Sequence, residues 1–213
     1  GDDDAVALLS ALESARAADV LEAMQPDDAA DLVAELPQLK ADELLELMQP
    51  DDAADVRRLM RYDEYTAGGL MTTEPIILPP EASVATLLAQ ARKAEVPPAL
   101  AAVAFVCRPP LESPTGMYLG MVHLQRALRE RPQQMVGRIL DKDLGAVGPT
   151  DSIGTITRLL ATYNLTAMPV CDEAGRLVGA VSVDDVLDHL MPDDWREADD
   201  AVTDEIIERS ANA

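Results

Sequence analysis

Residues 168–191 read MPVCDEAGRLVGAVSVDDVLDHLM, and the rest of the chain is arranged around this stretch. An apolar run ends at Cys171, a polar break follows at Asp172-Glu173-Ala174-Gly175, and a second apolar run continues through Val183. Two antiparallel strands joined by a tight turn produce that pattern. A helix must follow at once: Ser182, Asp184 or Asp185 supplies the cap, and Val186, Leu187 and Leu190 give an apolar stripe. Gly179, Ser182 and Asp185 are spaced G-x-x-S-x-x-D. A glycine admits a ligand close to the backbone, a hydroxyl caps the helix, and a carboxylate one turn on accepts from a ribose diol. The plain alternative is that Gly179 eases strand packing, Ser182 caps, and Asp185 complements the positive end of the helix.

In this strand-turn-strand-helix and its motif spacing, the stretch resembles the second half of a CBS domain, a small regulatory module that occurs in pairs. For modules that bind adenosine nucleotides, the resemblance implies that Gly179 lines the site and that Ser182 and Asp185 contact the phosphate and ribose of ATP, ADP or AMP.

The 213 residues suffice for one or two domains with a real core, and 48% of them are apolar. Aromatics make up only 3%, which leaves no stacking platform for single-stranded nucleic acid. A net charge of −22 repels nucleic acid and anionic membrane surfaces and favours cations. About −12 of it lies before Glu64 and about −9 from Asp184 onward, so the acid sits at the two ends of the chain. No apolar run approaches the roughly 20 residues of a membrane helix, so direct membrane insertion of this segment is not expected. Cys107 and Cys171 fit no metal spacing and read as core thiols of a cytoplasmic, reducing compartment.

Residues 1–62 read as an acidic domain of helices only. The string MQPDDAAD occurs at residues 24–31 and again at 48–55, and apolar partners recur at the same offset (Leu21 with Leu45, Leu32 with Val56). This is a repeat of helical-hairpin size. Pro26 and Pro50 each open a helix, Asp27-Asp28 and Asp51-Asp52 complement its N-terminus, and Pro37 separates the units. Capping on a solvated face accounts for each Asp alone, whereas two stacked acidic helix starts make a surface that favours a bound cation.

Residues 63–72 form a joint in which Gly68-Gly69 is expected to permit a sharp bend. A helical repeat, then RYDEYTAGGLMT at residues 61–72, then a CBS pair is similar to the cytosolic region of the MgtE family of magnesium transporters and channels. The fold class expected is thus α+β and multi-domain: an all-α helical-repeat domain followed by a tandem CBS pair, two β-α-β-β-α units about a pseudo-two-fold axis.

The first CBS unit covers residues 73–134, with strands expected at 76–78, 101–107 and 117–122 and helices at 83–94 and 124–129. It departs from the nucleotide pattern, since His123 and Arg126 stand where a hydroxyl and Asp are usual. The second covers residues 135–192, with a short helix at 135–140, strands at 145–147 and 166–171, and a helix at 152–163 before the hairpin. Residues 193–213 form an acidic C-terminal helix or tail, in which Arg196 interrupts the acid. Two readings of the chain ends stand: a region cut from a longer membrane protein, or a relative that ends here, which the polar Ser210-Ala211-Asn212-Ala213 ending favours.

No catalytic constellation is present, so an enzyme is not expected. Oxygen-only acidic surfaces suit Mg2+ or Ca2+, and Mg2+ binds through one or two carboxylates while keeping its waters. The leading expectation is a Mg2+-responsive regulatory region, in which ions join Asp27, Asp28, Asp51 and Asp52 of the helical domain to Asp185, Asp188, Asp193, Asp194 and Glu197. Domain closure about the Gly68-Gly69 joint would follow. Beside it stand a nucleotide-binding CBS module and a soluble dimerisation scaffold. The resemblance implies homodimerisation through the CBS domains and, in an intact transporter, attachment to a membrane pore domain.

Overall fold

The computed structural model describes residues 2–191. Five helices come first: α1 (Asp2–Ala11), α2 (Ser14–Glu22), α3 (Pro26–Glu35), α4 (Gln38–Leu47) and α5 (Pro50–Leu59). Pro26 and Pro50 each occupy the first helical turn, where a missing N–H costs nothing. The repeat makes α3 and α5 equivalents, and they pack on each other, as do α2 and α4. Leu21 with Leu45, and Leu32 with Val56, are buried as the shared spacing requires.

The first CBS unit contains β1 (Ile77–Leu78), α6 (Val84–Ala91), α7 (Pro98–Ala101), β2 (Val103–Cys107), β3 (Tyr118–His123) and α8 (Leu124–Ala127). Its sheet has the order β1-β2-β3, with β1 parallel to β2 and β2 antiparallel to β3. Ser83 caps α6 by accepting from the Thr86 N–H. Residue 101 falls in a helical turn rather than a strand, because Pro98 starts α7 there. The second unit contains α9 (Ile153–Tyr163), the antiparallel pair β4 (Ala167–Cys171) and β5 (Leu177–Ser182), and α10 (Val183–Leu190). The expected strand at 145–147 reduces to one parallel bridge between Val147 and Val170, and the expected helix at 135–140 to a 3-10 turn over Val136–Arg138. Gly145 and Gly148-Pro149 leave that strand too short to propagate.

Two crossing segments weld the units together. Thr72, which leads into the first unit, exchanges both backbone hydrogen bonds with Ala180 on β5 of the second (2.9 and 3.0 Å). Asp141, which leads into the second unit, does the same with Met121 on β3 of the first (3.2 and 2.8 Å). The motif glycines make this possible. A Cβ on Gly179 would lie 2.6 Å from the Thr72 carbonyl oxygen, and one on Gly120 would lie 2.6 Å from that of Asp141. Between the sheets, Tyr118 N–H donates to Gly175 O (2.9 Å) and Thr115 N–H to Leu177 O (2.9 Å), as the expected pseudo-two-fold relation requires.

The joint is a clamp rather than a free bend. Ala67 N–H donates to Asp151 O (2.8 Å), Gly68 N–H to Pro149 O (2.8 Å), and Ile153 N–H to Tyr65 O (2.9 Å). Gly68 and Gly69 serve close packing: added Cβ atoms would come within 2.3 Å of the Tyr62 ring and 2.5 Å of the Asp63 carbonyl oxygen. Ala67, Leu70 and Met71 are buried in one apolar core that runs from the helical domain through the second unit, while α6, α8 and the outer face of the first sheet enclose a second core.

Gly179→Ala is expected to lower the stability of the pair by about 1–3 kcal/mol, because the Thr72 backbone cannot retreat. Gly154→Ala, on α9 with nothing within 4 Å of the new methyl, should raise it by up to about 1 kcal/mol. Urea denaturation of the two variants beside the wild type checks the contrast.

Candidate functional site: the acidic seam between α3 and α10

The first turn of α3 and the length of α10 face each other and both are acidic. On α3, Asp27 follows Pro26 in the first turn, and the packing of the helical domain leaves its side chain only 5% exposed. Its Oδ1 atom is buried with no hydrogen-bond partner among the described residues. Burial pushes the Asp27 carboxyl well above the usual carboxylate range, and the charges of Asp185, Asp28 and Asp31 push it further. On α10, Ser182 and Asp185 form a capping box. Asp185 Oδ2 accepts from Ser182 Oγ (2.6 Å) and from the Ser182 N–H (3.2 Å), and the Asp185 N–H donates to Ser182 Oγ (3.3 Å). Burial outweighs the hydrogen bonds from Ser182 and, with Asp184 and Asp28 adding, lifts the Asp185 carboxyl to about 6.

Asp31 and His189 complete the seam, and the sequence reading singled out neither as a contact between domains. His189 Nε2 lies 3.9 Å from Asp31 Oδ2, its Nδ1 lies 3.0 Å from the Asp185 carbonyl oxygen, and the Tyr65 ring meets the imidazole edge-on at 6.3 Å. The repeat carried the missing signal. Asp31 and Asp55 are its equivalent last residues, and both dock the helical domain. Asp55 accepts from Thr73 Oγ1 (2.8 Å) and from Arg58 (2.9 Å), while Arg58 also donates to Ser113 O (2.9 Å), so α5 is tied to the first CBS unit.

That geometry corrects the expectation for Asp51 and Asp52. Both are exposed, and Asp52 keeps company with Glu22, Asp51 and Asp55 rather than with Asp185. Slight burial and those charges push the Asp52 carboxyl up, and burial followed by Asp52 and Asp55 does the same for Glu74. Glu22 and Glu74 line a separate cleft of about 510 Å3 against the first unit. The two repeat units thus present their acidic starts to different CBS units. Asp188 lies on α10 at the seam's edge, while Asp193, Asp194 and Glu197 lie outside the described residues. Among the described residues, no three His, Cys, Asp or Glu side chains form a group that could hold a metal ion by themselves. A hydrated cation contacting one or two carboxylates needs no such group.

Gly179 is covered by Met71 and Thr72, and Ser182 is buried and bonded to Asp185, so all three motif residues have structural partners here. In the first unit His123 precedes α8 without a capping hydrogen bond, and Arg126 is exposed. Cys107 and Cys171 are free thiols; burial pushes both up, Cys171 to about 12.

Residues 1–65 match the MgtE intracellular N domain, and residues 136–192 match the CBS domain. Over 63% of this chain, the sequence is 34% identical to the magnesium transporter MgtE of Thermus thermophilus. The fold matches the crystal structure of the soluble part of a magnesium transporter with a TM-score of 0.75 and 26% identity, covering 85% of this chain and 69% of that one. In sequence and in fold the chain is thus similar to the cytosolic region of MgtE-type magnesium transporters. A second solved structure, the cytosolic domain of the Mg2+ channel MgtE in complex with ATP, is 29% identical with a TM-score of 0.57, over 89% of this chain and 85% of that one. The chain spans 29% of the length of the Thermus transporter, and no helix among its described residues is long and apolar enough to cross a membrane.

Because Asp27 and Asp185 titrate above their ordinary range when the seam is formed, the formed seam binds protons that the separated helices release. Their contribution to stability is therefore fully present below the ordinary carboxylate range and is lost as pH rises through about 6. In EDTA, the unfolding free energy should fall by of order 1–3 kcal/mol between about pH 4 and pH 7, and Asp27→Asn should flatten that slope. A slope unchanged in the variant would remove Asp27 from the account.

Proposed function

We propose that this chain is the Mg2+-responsive regulatory region of a magnesium transporter, located in the cytosol, with no catalytic role. The observation that carries the reading is Asp27, a buried carboxylate with one oxygen unpartnered among the described residues, set against Asp28 on its own helix and Asp185 across the seam. Like charges brought together at low exposure weaken docking unless a cation compensates. The donors are all oxygens, which suits Mg2+, with Ca2+ as the other hard divalent ion. With a cation held there, Asp27 and Asp28 of α3 are drawn toward Asp185 and Asp188 of α10; without it, the helical domain loses its hold on the second CBS unit. Tyr65, Ala67, Gly68 and Thr72 are bonded to the pair, so the swing would pivot before Tyr65, in residues 60–64, rather than at Gly68-Gly69. Asp193, Asp194 and Glu197 would extend the same acidic surface.

The division of the chain follows that picture: residues 1–62 as sensor, 63–72 as clamp, 73–134 and 135–192 as the CBS pair, and 193–213 as an acidic tail. Association of two copies through the CBS helices would use Tyr163 of α9 with Leu187 and Leu190 of α10, which are exposed apolar residues. An attached membrane pore is the partner on which such a switch would act.

Small-angle X-ray scattering across a Mg2+ titration, at fixed ionic strength with a matched Na+ control, tests the switch. The radius of gyration should fall and saturate with Mg2+ alone. Asp27→Asn with Asp185→Asn should be compact without Mg2+, whereas Asp51→Lys with Asp52→Lys should leave the response in place. A radius that ignores Mg2+ would sink the proposal and favour the scaffold reading.

A second reading is favoured by the 29% identity to the ATP-bound cytosolic domain: an adenosine nucleotide held at Gly179, Ser182 and Asp185. Asp185 would have to exchange its bond to Ser182 for one to a ribose. ATP, ADP or AMP should then raise the melting temperature, and Ser182→Ala should cancel that rise while sparing the Mg2+ response. No thermal shift with any of the three would remove this reading.

A further inference from the structure

Four of the chain's 17 basic residues, Arg126, Arg129, Arg131 and Arg138, lie on the segment that joins the two CBS units, with Glu130 as the one acid among them. All four are exposed, and among the described residues none of them forms an ion pair. Leu128 and Met135 stand between them, 65% and 46% exposed. The segment is no loose linker. Val84 N–H donates to Gln134 O (2.8 Å), Ala85 N–H to Pro132 O (2.9 Å) and Val136 N–H to Ala82 O (2.8 Å), so its backbone is held against the start of α6. A held backbone that displays apolar and cationic side chains together loses little freedom on docking, and it fits an apolar surface that also carries carboxylates.

The chain carries that complement on α4. Ala41, Leu44 and Leu45 face the core of the helical domain, which turns Leu39, Asp42, Glu43, Glu46 and Leu47 outward at helical spacing. Leu39 is 87% exposed and Leu47 48%. Lys40, the one cation of α4, is drawn aside to Ser14 Oγ (2.6 Å) and Glu43 (3.7 Å). Two leucines with three carboxylates thus match two apolar side chains with four guanidinium groups. Both faces are exposed in the same chain, so each is open to the opposite face of a second copy. We propose that α4 of one copy docks on residues 126–138 of another. At a net charge of −22 two copies repel at long range, but at about 0.15 M salt charges more than about 8 Å apart are screened, and close pairs decide. The faces are small, so the contact is weak and is set by charge more than by area. It is separate from association through Tyr163, Leu187 and Leu190, and it rests on neither the cation nor the nucleotide reading.

Sedimentation velocity of the whole chain in EDTA, across a range of protein concentrations, reads the contact. In about 0.15 M NaCl the mean sedimentation coefficient should rise with concentration, and about 0.5 M NaCl should reduce that rise. Arg129→Glu with Arg131→Glu should weaken the association by about tenfold or more, and Asp42→Lys with Glu46→Lys should do the same. All four positions are exposed, so both variants should melt close to the wild type. Mixed in equal amounts, the two variants should associate again, because each offers the charge that the other lacks. A wild type whose sedimentation ignores concentration, variants that associate like the wild type, or a mixture that stays apart would overturn the proposal. Loss of association with the arginine changes alone would assign the arginines to another surface and overturn the pairing with α4. A wild type that co-sediments with anionic phospholipid vesicles but not with itself would hand the patch to lipid headgroups, which also overturns it.

Discussion

The exchange of hydrogen bonds between Thr72 and Ala180 is the constraint on which the rest of this structure depends. It commits the segment entering the first CBS unit to the sheet of the second, and Asp141 with Met121 repeats the crossing in the other direction. Once both crossings are made, neither unit is separable from its neighbour. Residues 65–72 become part of the pair rather than a tether to it. The glycines at 120 and 179 are the sterically required counterparts, since a methyl at either would collide with the incoming carbonyl.

Fixing the joint also fixes where the helical domain lies, and so which acidic groups meet. The domain is held by Arg58, Asp55 and Thr73 on the side of the first unit and by Asp31, His189 and Tyr65 on the side of the second. Between these anchors α3 is pressed toward α10 with Asp27 inside. A buried carboxylate beside other carboxylates is a cost that the rest of the packing must offset. That balance makes the seam sensitive to whatever neutralises it, proton or cation. Asp55, by contrast, has its charge met locally by Arg58 and Thr73.

Much of the architecture was legible because its signals are local. Proline at the first turn marked the starts of α3 and α5, two apolar runs about a polar break marked β4 and β5, and the Ser182 to Asp185 spacing marked the capping box that opens α10. Weaker elements were lost where the local signal was short, as at residues 145–147, where two backbone hydrogen bonds join Val147 to β4 but no strand propagates. Asp31 and Asp55 escaped notice because an acidic residue inside a helix reads as solvated until a partner is placed against it.

By itself, then, the sequence determined the element types, the repeat, the pairing of CBS units and the concentration of acid at the two ends of the chain. Each follows from neighbours within a few residues or from composition. Only the tertiary structure decided that Asp27 rather than Asp51 or Asp52 faces Asp185, that Gly68 and Gly69 are packed rather than hinged, and that Gly179 makes room for Met71 and Thr72. The two repeat units share the same eight-residue string, so local chemistry cannot distinguish their acidic starts. The distinction arises from the crossing strands, which seat one start against the second CBS unit and the other against the first.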